Sequence, residues 1–258
     1  MPGSGVKSAP RSNRYAQFYV QMMQLKSVYD ALYKDYGPQH WWPGETSFEI
    51  MVGAVLTQNT AWSNVEKAIT NLKRAGMLDA GKIMAARHRK LARLIRPAGY
   101  FNIKAQRLKN YCTWYTTHGG FELLDAWDTE SLRHGLLSVN GIGFETADDI
   151  LLYAFNRPVF VIDAYTRRLF SRLEIVDGTE HYDSMRQYIE AALHKESQAR
   201  EHDTADNKKR EPGLAGLYNE YHALIVNHAK NVCRKRPICQ NCCFRNLCPS
   251  APAFLQNH

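Results

Sequence analysis

Apolar residues along this chain recur at spacings of three and four rather than two, so helices are predicted nearly throughout. The repeat runs from Tyr15 to Tyr36 and stops at Gly37-Pro38. Phe48 to Leu56 is a dense apolar run, and Ser63 to Arg74 continues as a second helix. Further helices are predicted over Lys82 to Arg96, Ile103 to His118, Thr129 to Ser138, and from Glu145 to Phe155. Pro158-Val159-Phe160-Val161-Ile162 has strand composition, but a single strand without a partner is not stable. It reads as a buried extended link into a helix over Ala164 to Leu173. Leu214 to Lys230 resumes helical periodicity. Between these last helices, Lys195 to Pro212 has almost no large apolar residues and many charges, which predicts a solvated, mobile insertion. The fold class is all-α, with two helical lobes and a cleft between them.

Composition narrows the partners. Among 258 residues, 33 Lys and Arg face 25 Asp and Glu, a formal charge of +8. The pI of 9.2 favours a polyanionic partner over an acidic small molecule. No run approaches the roughly 18 apolar residues that span a bilayer. The first fourteen residues read as a disordered basic tail without the apolar stretch of a signal peptide. An intracellular protein of the cytoplasm or nucleoid is therefore expected. In a reducing compartment, clustered cysteines are metal ligands more often than disulfides. Five of the 6 cysteines fall between Cys233 and Cys248.

Cys233, Cys239, Cys242 and Cys248 follow the spacing C-x5-C-x2-C-x5-C, which can wrap a zinc ion or an iron–sulfur cubane. Structural zinc sites usually bring two close pairs. Only Cys239 and Cys242 form one here, so a cluster held by one compact loop suits the spacing better. Cys243 is then the spare, and Cys112 a small buried hydrophobe. Arg234, Lys235 and Arg236 lie between the first two ligands and Arg245 in the second interval. A stapled loop presenting cations suits phosphate contact, although the same cations also balance thiolate charge.

Ser138-Val139-Asn140-Gly141-Ile142-Gly143 places two glycines between helical segments. Gly141 and Gly143 can aim bare amides at a phosphate, or serve as an ordinary helix–helix turn. Asp163 follows four large apolar residues. It reads both as the N-cap of the next helix and as a carboxylate held at a cleft.

Together these features make the chain resemble the endonuclease III superfamily of DNA glycosylases, the helix-hairpin-helix, Gly/Pro-Asp group. The resemblance covers Trp42 to Cys248. It rests on Leu56-Thr57-Gln58-Asn59-Thr60, Gly99-Tyr100-Phe101-Asn102-Ile103-Lys104-Ala105, the hairpin, Ile162-Asp163 and the four cysteines. It implies a six-helix barrel over 47–157 and a cluster lobe made by both chain ends, 15–46 and 158–258. It also implies a 4Fe–4S cluster on the four cysteines. Asp163 would be the catalytic aspartate. Bifunctional members carry a lysine where this chain has Glu145, and a carboxylate cannot form a Schiff base. A monofunctional enzyme that leaves an abasic site is therefore implied.

Within the superfamily the likeness is to bacterial 3-methyladenine DNA glycosylases, carried by Trp41-Trp42-Pro43 with Phe48, Thr57-Gln58-Asn59-Thr60, Arg96-Pro97-Ala98-Gly99-Tyr100 and Gly141-Ile142-Gly143-Phe144-Glu145. Trp41, Trp42 and Phe48 would sandwich a cationic alkylated purine, each contact on the order of 1–2 kcal/mol, or else pack a lobe interface. Lys230 would approach the cleft or remain on the surface. By family position Gln58 would fill the space of the flipped base and Tyr100 would wedge the opposite strand. Amides at Gly141 and Gly143, with a monovalent cation on hairpin carbonyls, would hold the backbone. The expected partner is double-stranded DNA with a damaged or mismatched base, met by a monomer. The alternatives are a thymine or uracil mismatch glycosylase, a glycosylase with lyase activity from another lysine, and a DNA-binding module without catalysis.

Overall fold

The structure, a computed structural model, describes residues 25–41, 44–203 and 213–255, with backbone alone over 196–203. It is helical, and no strand occurs among the described residues. In chain order the helices are α1 (25–36), α2 (Ser47–Thr57), α3 (Trp62–Arg74), α4 (Ala80–Ala85) and α5 (His88–Leu94). There follow α6 (Phe101–Thr117), α7 (Phe121–Asp125), α8 (Thr129–Leu137) and α9 (Phe144–Asp149). The last are α10 (Ala164–Arg172), α11 (Tyr182–Asp203), α12 (Leu214–Asn231) and α13 (Ala251–Leu255). The chain divides into two compact units.

One unit comprises His40–Asp163 and Pro212–Glu220. Its centre is α2, where every residue from Glu49 to Leu56 is buried. Thr46 caps this helix by accepting a hydrogen bond from the Glu49 amide at 3.1 Å, which supplies an acceptor to an otherwise orphan donor. Helices α3, α6 and α9 pack around α2, and α4 and α5 pack on α6. The single helix predicted over Lys82 to Arg96 is instead α4, α5 and a 3-10 turn, Arg96–Ala98. Ala86 is extended at φ −64°, ψ 140°, and Lys109 Nζ donates to the carbonyls of Met84 at 3.1 Å and of Ala86. A side chain from another helix thus takes up carbonyls released at the break. The predicted helix from Glu145 continues past α9 as a π-turn, Ile150–Ala154. The link 158–162 is extended and buried from Val159 to Ile162, as its composition implies. Helix α7 has no counterpart in the sequence reading. Phe121 stacks on Phe155 with ring centroids 4.9 Å apart, a tertiary contact that periodicity does not encode.

The other unit comprises the described parts of Met1–Gln39, Ala164–Glu211 and Tyr221–His258. Tyr221 is its hub: the hydroxyl donates to Leu25 O at 2.7 Å, and the ring meets Tyr29 and Phe170 edge-on. Helix α11 was not predicted, and it runs through Asp203, into the stretch expected to be a mobile insertion. Charge density and helix are compatible when opposite charges fall one turn apart. Arg186 meets Asp183 at 3.4 Å and Glu190 at 2.8 Å. Residues 204–212, the tail 1–14 and the start of the first predicted helix lie outside the described residues. Residues 158–163, expected to open the cluster lobe, group with the α2 unit.

Candidate nucleic-acid interface and catalytic carboxylate

Helices α8 and α9 flank the two-glycine loop, so the sequence motif is a helix–hairpin–helix in three dimensions. Gly141 has φ +99°, a left-handed value that favours glycine, and a Cβ there would collide with the Arg107 side chain. Gly143 is extended at φ −100°, ψ −179°, exposed, and nothing stands within 4 Å of where a Cβ would lie. Its requirement is open space rather than unusual backbone. The two helices are joined beneath the loop by a buried ion pair. Arg133 Nε donates to Asp148 Oδ1 at 2.6 Å and Nη2 to Oδ2 at 3.2 Å. The guanidinium also lies 5.5 Å from the Phe144 ring centroid. Forked, buried and bidentate, this contact fixes the angle at which the hairpin is offered.

Gln58 terminates α2, and its carboxamide reaches back onto the hairpin. Nε2 donates to Gly141 O and to Thr146 Oγ1, each at 3.0 Å, while Arg107 donates to Oε1. Arginine has donors only, so it fixes which end of the amide faces it. Gln58, expected to fill a vacated base position, is docked on the hairpin in this structure. Tyr100 is 66 % exposed and sits in the left-handed region at φ 45°, ψ 31°. An exposed aromatic in such backbone is held there by its surroundings. Part of the cause is Lys104, only 1 % exposed, whose Nζ donates to Leu56 O at 2.9 Å and Ala98 O at 2.7 Å. One ammonium thus ties the end of α2, before Gln58, to the turn before Tyr100. Burial, with the nearby Arg107 charge, pushes the Lys104 pKa down to about 8.

Asp163 is buried, with 9 % relative exposure, immediately ahead of α10. Its electrostatic neighbours include Asp149 and Tyr153. The Asp149 carboxyl is raised well above the usual carboxylate range, first by surrounding protein and then by the charges of Glu145, Asp163 and Asp148. The Tyr153 hydroxyl is likewise raised by burial, Asp149 and Asp163. Trp41 meets the Tyr153 ring at 6.1 Å, so one of the predicted pocket aromatics lies beside this group. The Phe48 ring meets Tyr115 at 5.5 Å instead. Trp42 lies outside the described residues. Glu145 is exposed in the first turn of α9. Lys230 is exposed in the last turn of α12, in the other unit.

In that other unit, Cys233, Cys239, Cys242 and Cys248 line one cavity whose walls include Leu169, Val232, Ile238, Phe244 and Phe254. Among the described residues, no group of three or more His, Cys, Asp or Glu stands ready to hold a metal ion. Arg172 Nη1 donates to Cys233 Sγ at 3.1 Å and to Arg234 O at 2.7 Å. Arg168 donates to Cys233 O and Ala229 O, each at 2.8 Å. His228 is fully buried, with Nδ1 2.8 Å from Tyr36 Oη and Nε2 3.6 Å from Cys242 Sγ. A hydrogen bond from Cys243 leads the effects that lower the Cys242 pKa to about 5, and His228 adds to it against burial. Burial raises Cys239 and Cys248, and pushes the isolated Cys112 to about 12. Four thiols lining one apolar-walled cavity beside guanidinium donors are the donor set a buried cluster carrying negative charge would use, although the thiols do not stand at ligating separation. Arg234, Lys235, Arg236 and Arg245 are exposed on this loop.

Sequence reasoning missed Arg133, Asp148, Lys104, Arg107, Asp149, Arg168, Arg172 and His228. For two of them a signal existed. Arg133 sits with Leu132 and Leu136 on the apolar face of α8, and Lys104 in the stripe Ala105, Leu108, Tyr111 of α6. A cation in a helix's apolar stripe marks a buried hydrogen-bonding job.

Comparisons agree with this geometry. The chain matches the family model described as HhH-GPD superfamily base excision DNA repair protein over residues 52–195. It is 42% identical over 243 residues to MJ1434 of Methanocaldococcus jannaschii, whose name assigns it provisionally to the DNA repair glycosylases; the match covers 93% of this chain and 99% of that one. The H. pylori 3-methyladenine DNA glycosylase MagIII, solved with 1,N6-ethenoadenine, superposes with TM-score 0.68 at 32% identity, covering 81% of this chain and 97% of the other. A non-covalent endonuclease III–DNA complex superposes with TM-score 0.72 at 18% identity, covering 91% and 98%, a likeness of fold. With its buried aspartate, its clamped two-glycine hairpin and its four C-terminal cysteines, the chain belongs to the HhH-GPD superfamily of base excision DNA repair proteins.

Proposed function

We propose that this protein is a monofunctional DNA glycosylase acting as a monomer on double-stranded DNA, releasing an alkylated purine of the 3-methyladenine kind. The observation that carries the reading is the α2 unit itself: a buried aspartate at position 163 and a hairpin whose lysine position holds Glu145. Asp163 would stabilise the cationic sugar as the glycosidic bond breaks and assist attack by water. Surrounding protein and the charges of Glu145, Asp163 and Asp148 raise the Asp149 carboxyl beside it, which disfavours a second anion at the site. Glu145 offers no amine for a Schiff base, so the abasic product is released uncut. An N3-alkylated purine already carries positive charge and leaves readily. Trp41, with Trp42 and Phe48, would supply aromatic faces for that cation.

Base extrusion costs a few kcal/mol, least for a weakened pair. Gln58 would undock from Gly141 O and fill the gap, while Tyr100 wedges the duplex. Amides at Gly141 and Gly143 would hold a phosphate. A monovalent cation on the hairpin carbonyls would share Gly141 O with Gln58, whose Nε2 donates to it at 3.0 Å. A 4Fe–4S cluster on Cys233, Cys239, Cys242 and Cys248 would supply a rigid anchor for the loop that carries Arg234, Lys235 and Arg236 to phosphates. No step of base release passes through it.

The test is a panel of duplexes carrying methylated purines, ethenoadenine, T·G or U·G, each developed with and without alkali. Release of a methylated purine with strand cleavage only after alkali is the expected result. Asp163→Asn should lower release about 10³-fold while retaining affinity for abasic DNA. Unchanged release by that variant removes Asp163 from the chemistry, and nicking without alkali removes the monofunctional reading.

A further inference from the structure

The cations of the α2 unit fall into two sets. Lys104 and Lys109 spend their ammonium groups on backbone carbonyls, Arg133 is buried on Asp148, Arg107 is bonded to Gln58, Arg157 to Asp125, and Lys73 to Glu45 and Glu49. The second set is concentrated on and around α5. Arg87, His88, Arg89, Lys90, Arg93 and Arg96 are all exposed, and their side chains enter no hydrogen bond or ion pair among the described residues.

Helical geometry explains why these charges share a face. At 100° per residue, Arg89, Lys90 and Arg93 fall within about a 100° arc, while Leu91, Ala92 and Ile95 occupy the opposite side. Leu91, Ala92 and Ile95 are at most 4 % exposed and anchor the helix to its unit. The outward face is thus uniformly cationic and rigidly backed. Helix stability accounts for Arg93 alone, whose charge in the last turn suits the dipole. Arg89 and Lys90 in the first turn oppose it, α5 has no acidic residue there, and Arg87 makes no side-chain cap. The segment then leads through Arg96 and one 3-10 turn into the exposed Tyr100.

We infer that the outward face of α5, formed by Arg89, Lys90 and Arg93 with Arg87 and Arg96 at its ends, is a phosphate-contact surface that extends the DNA footprint on the side of Tyr100. The inference rests on the proposed function only in taking duplex DNA as the partner. The same unit's opposite character elsewhere supports the choice. The groove lined by Glu45, Glu49 and Glu66 around Lys73 is acidic and would repel a polyanion, so the basic face is localised rather than a general property of the surface.

The experiment compares the full-length protein, the triple variant Arg89→Gln, Lys90→Gln, Arg93→Gln, and Lys67→Gln, an exposed lysine on α3, as control. Affinity for an undamaged duplex is measured from 50 to 200 mM salt. Each lost phosphate contact makes the slope of log K against log salt less negative by about 0.9. The triple variant should therefore flatten the slope by about 2 to 3, with unchanged thermal melting, and the control should not move it. An unchanged slope in the folded triple variant overturns the inference. So does loss of binding to phosphatidylserine vesicles with the DNA slope intact, which would assign the face to a membrane. If the slope flattens but no lesion in the panel is excised, the surface stands and the glycosylase reading falls.

Discussion

The hairpin of the α2 unit and the cysteine loop of the other unit present different chemistry on a similar support. The hairpin is held by Arg133 on Asp148 and by Arg107 through Gln58, while Lys104 ties the end of α2 to the turn before Tyr100. The cysteine loop is held by Arg168 and Arg172 on the carbonyls of Ala229, Cys233 and Arg234. In both, buried or half-buried cations fix the backbone. The difference lies in the inner partner. The hairpin's main staple is a buried pair of opposite charges, whereas the loop's arginines sit on neutral carbonyls and one sulfur. Losing one member of a buried pair strands a charge, while losing an arginine from carbonyls strands only dipoles.

That contrast predicts unequal damage. Arg133→Met should cost about 3–5 kcal/mol of global stability, read as a large drop in the denaturant midpoint. A double change, Arg133→Met with Asp148→Leu, should recover much of it, because no charge is then left buried. Failure of the double variant to recover would mean that the pair holds geometry rather than balances charge.

Lys104 comes next and is visible through pH. Its folded pKa, about 8, lies below the ordinary lysine value, so the fold disfavours the charged form. The penalty is complete below about pH 8 and disappears as pH rises toward the unfolded pKa near 10.5. The difference in stability between wild type and Lys104→Met should therefore shift in favour of wild type across that window, by at most about 3 kcal/mol. A flat difference between pH 7.5 and 10 would show that the ammonium is not penalised.

The smallest effect is expected at Arg172→Met, about 1.5–3 kcal/mol and confined to the loop. Hydrogen exchange at the amides of Cys233, Ile238 and Cys248 should quicken while α2 and α6 keep their protection. Equal loosening of both units would erase the proposed distinction.

The features legible in the sequence were those that local chemistry dictates. Glycine at 141 announces a left-handed turn, the cysteine spacing announces a shared cavity, and the Pro158–Ile162 run announces a buried link. Helices α3, α6, α8, α10 and α12 follow from periodicity, and α2 from a dense apolar run. What stayed hidden depends on distant partners. The break after α4 is completed by Lys109, and α7 by Phe155. The docking of Gln58 depends on Arg107 and Gly141, 49 and 83 residues away in the chain. Helix α11 runs through Asp203 into a charge-rich stretch that composition alone reads as a solvated linker.

The bridge made by Lys104 carries an evolutionary consequence. Because a single amine sets the separation between the segment ending α2 and the turn that lifts Tyr100, neither can drift in length independently. A chimera that imports one of these segments from a relative without importing α6 should inherit the letters of the motif and lose its spacing. Grafts of these segments would therefore have to move all three pieces as one cassette.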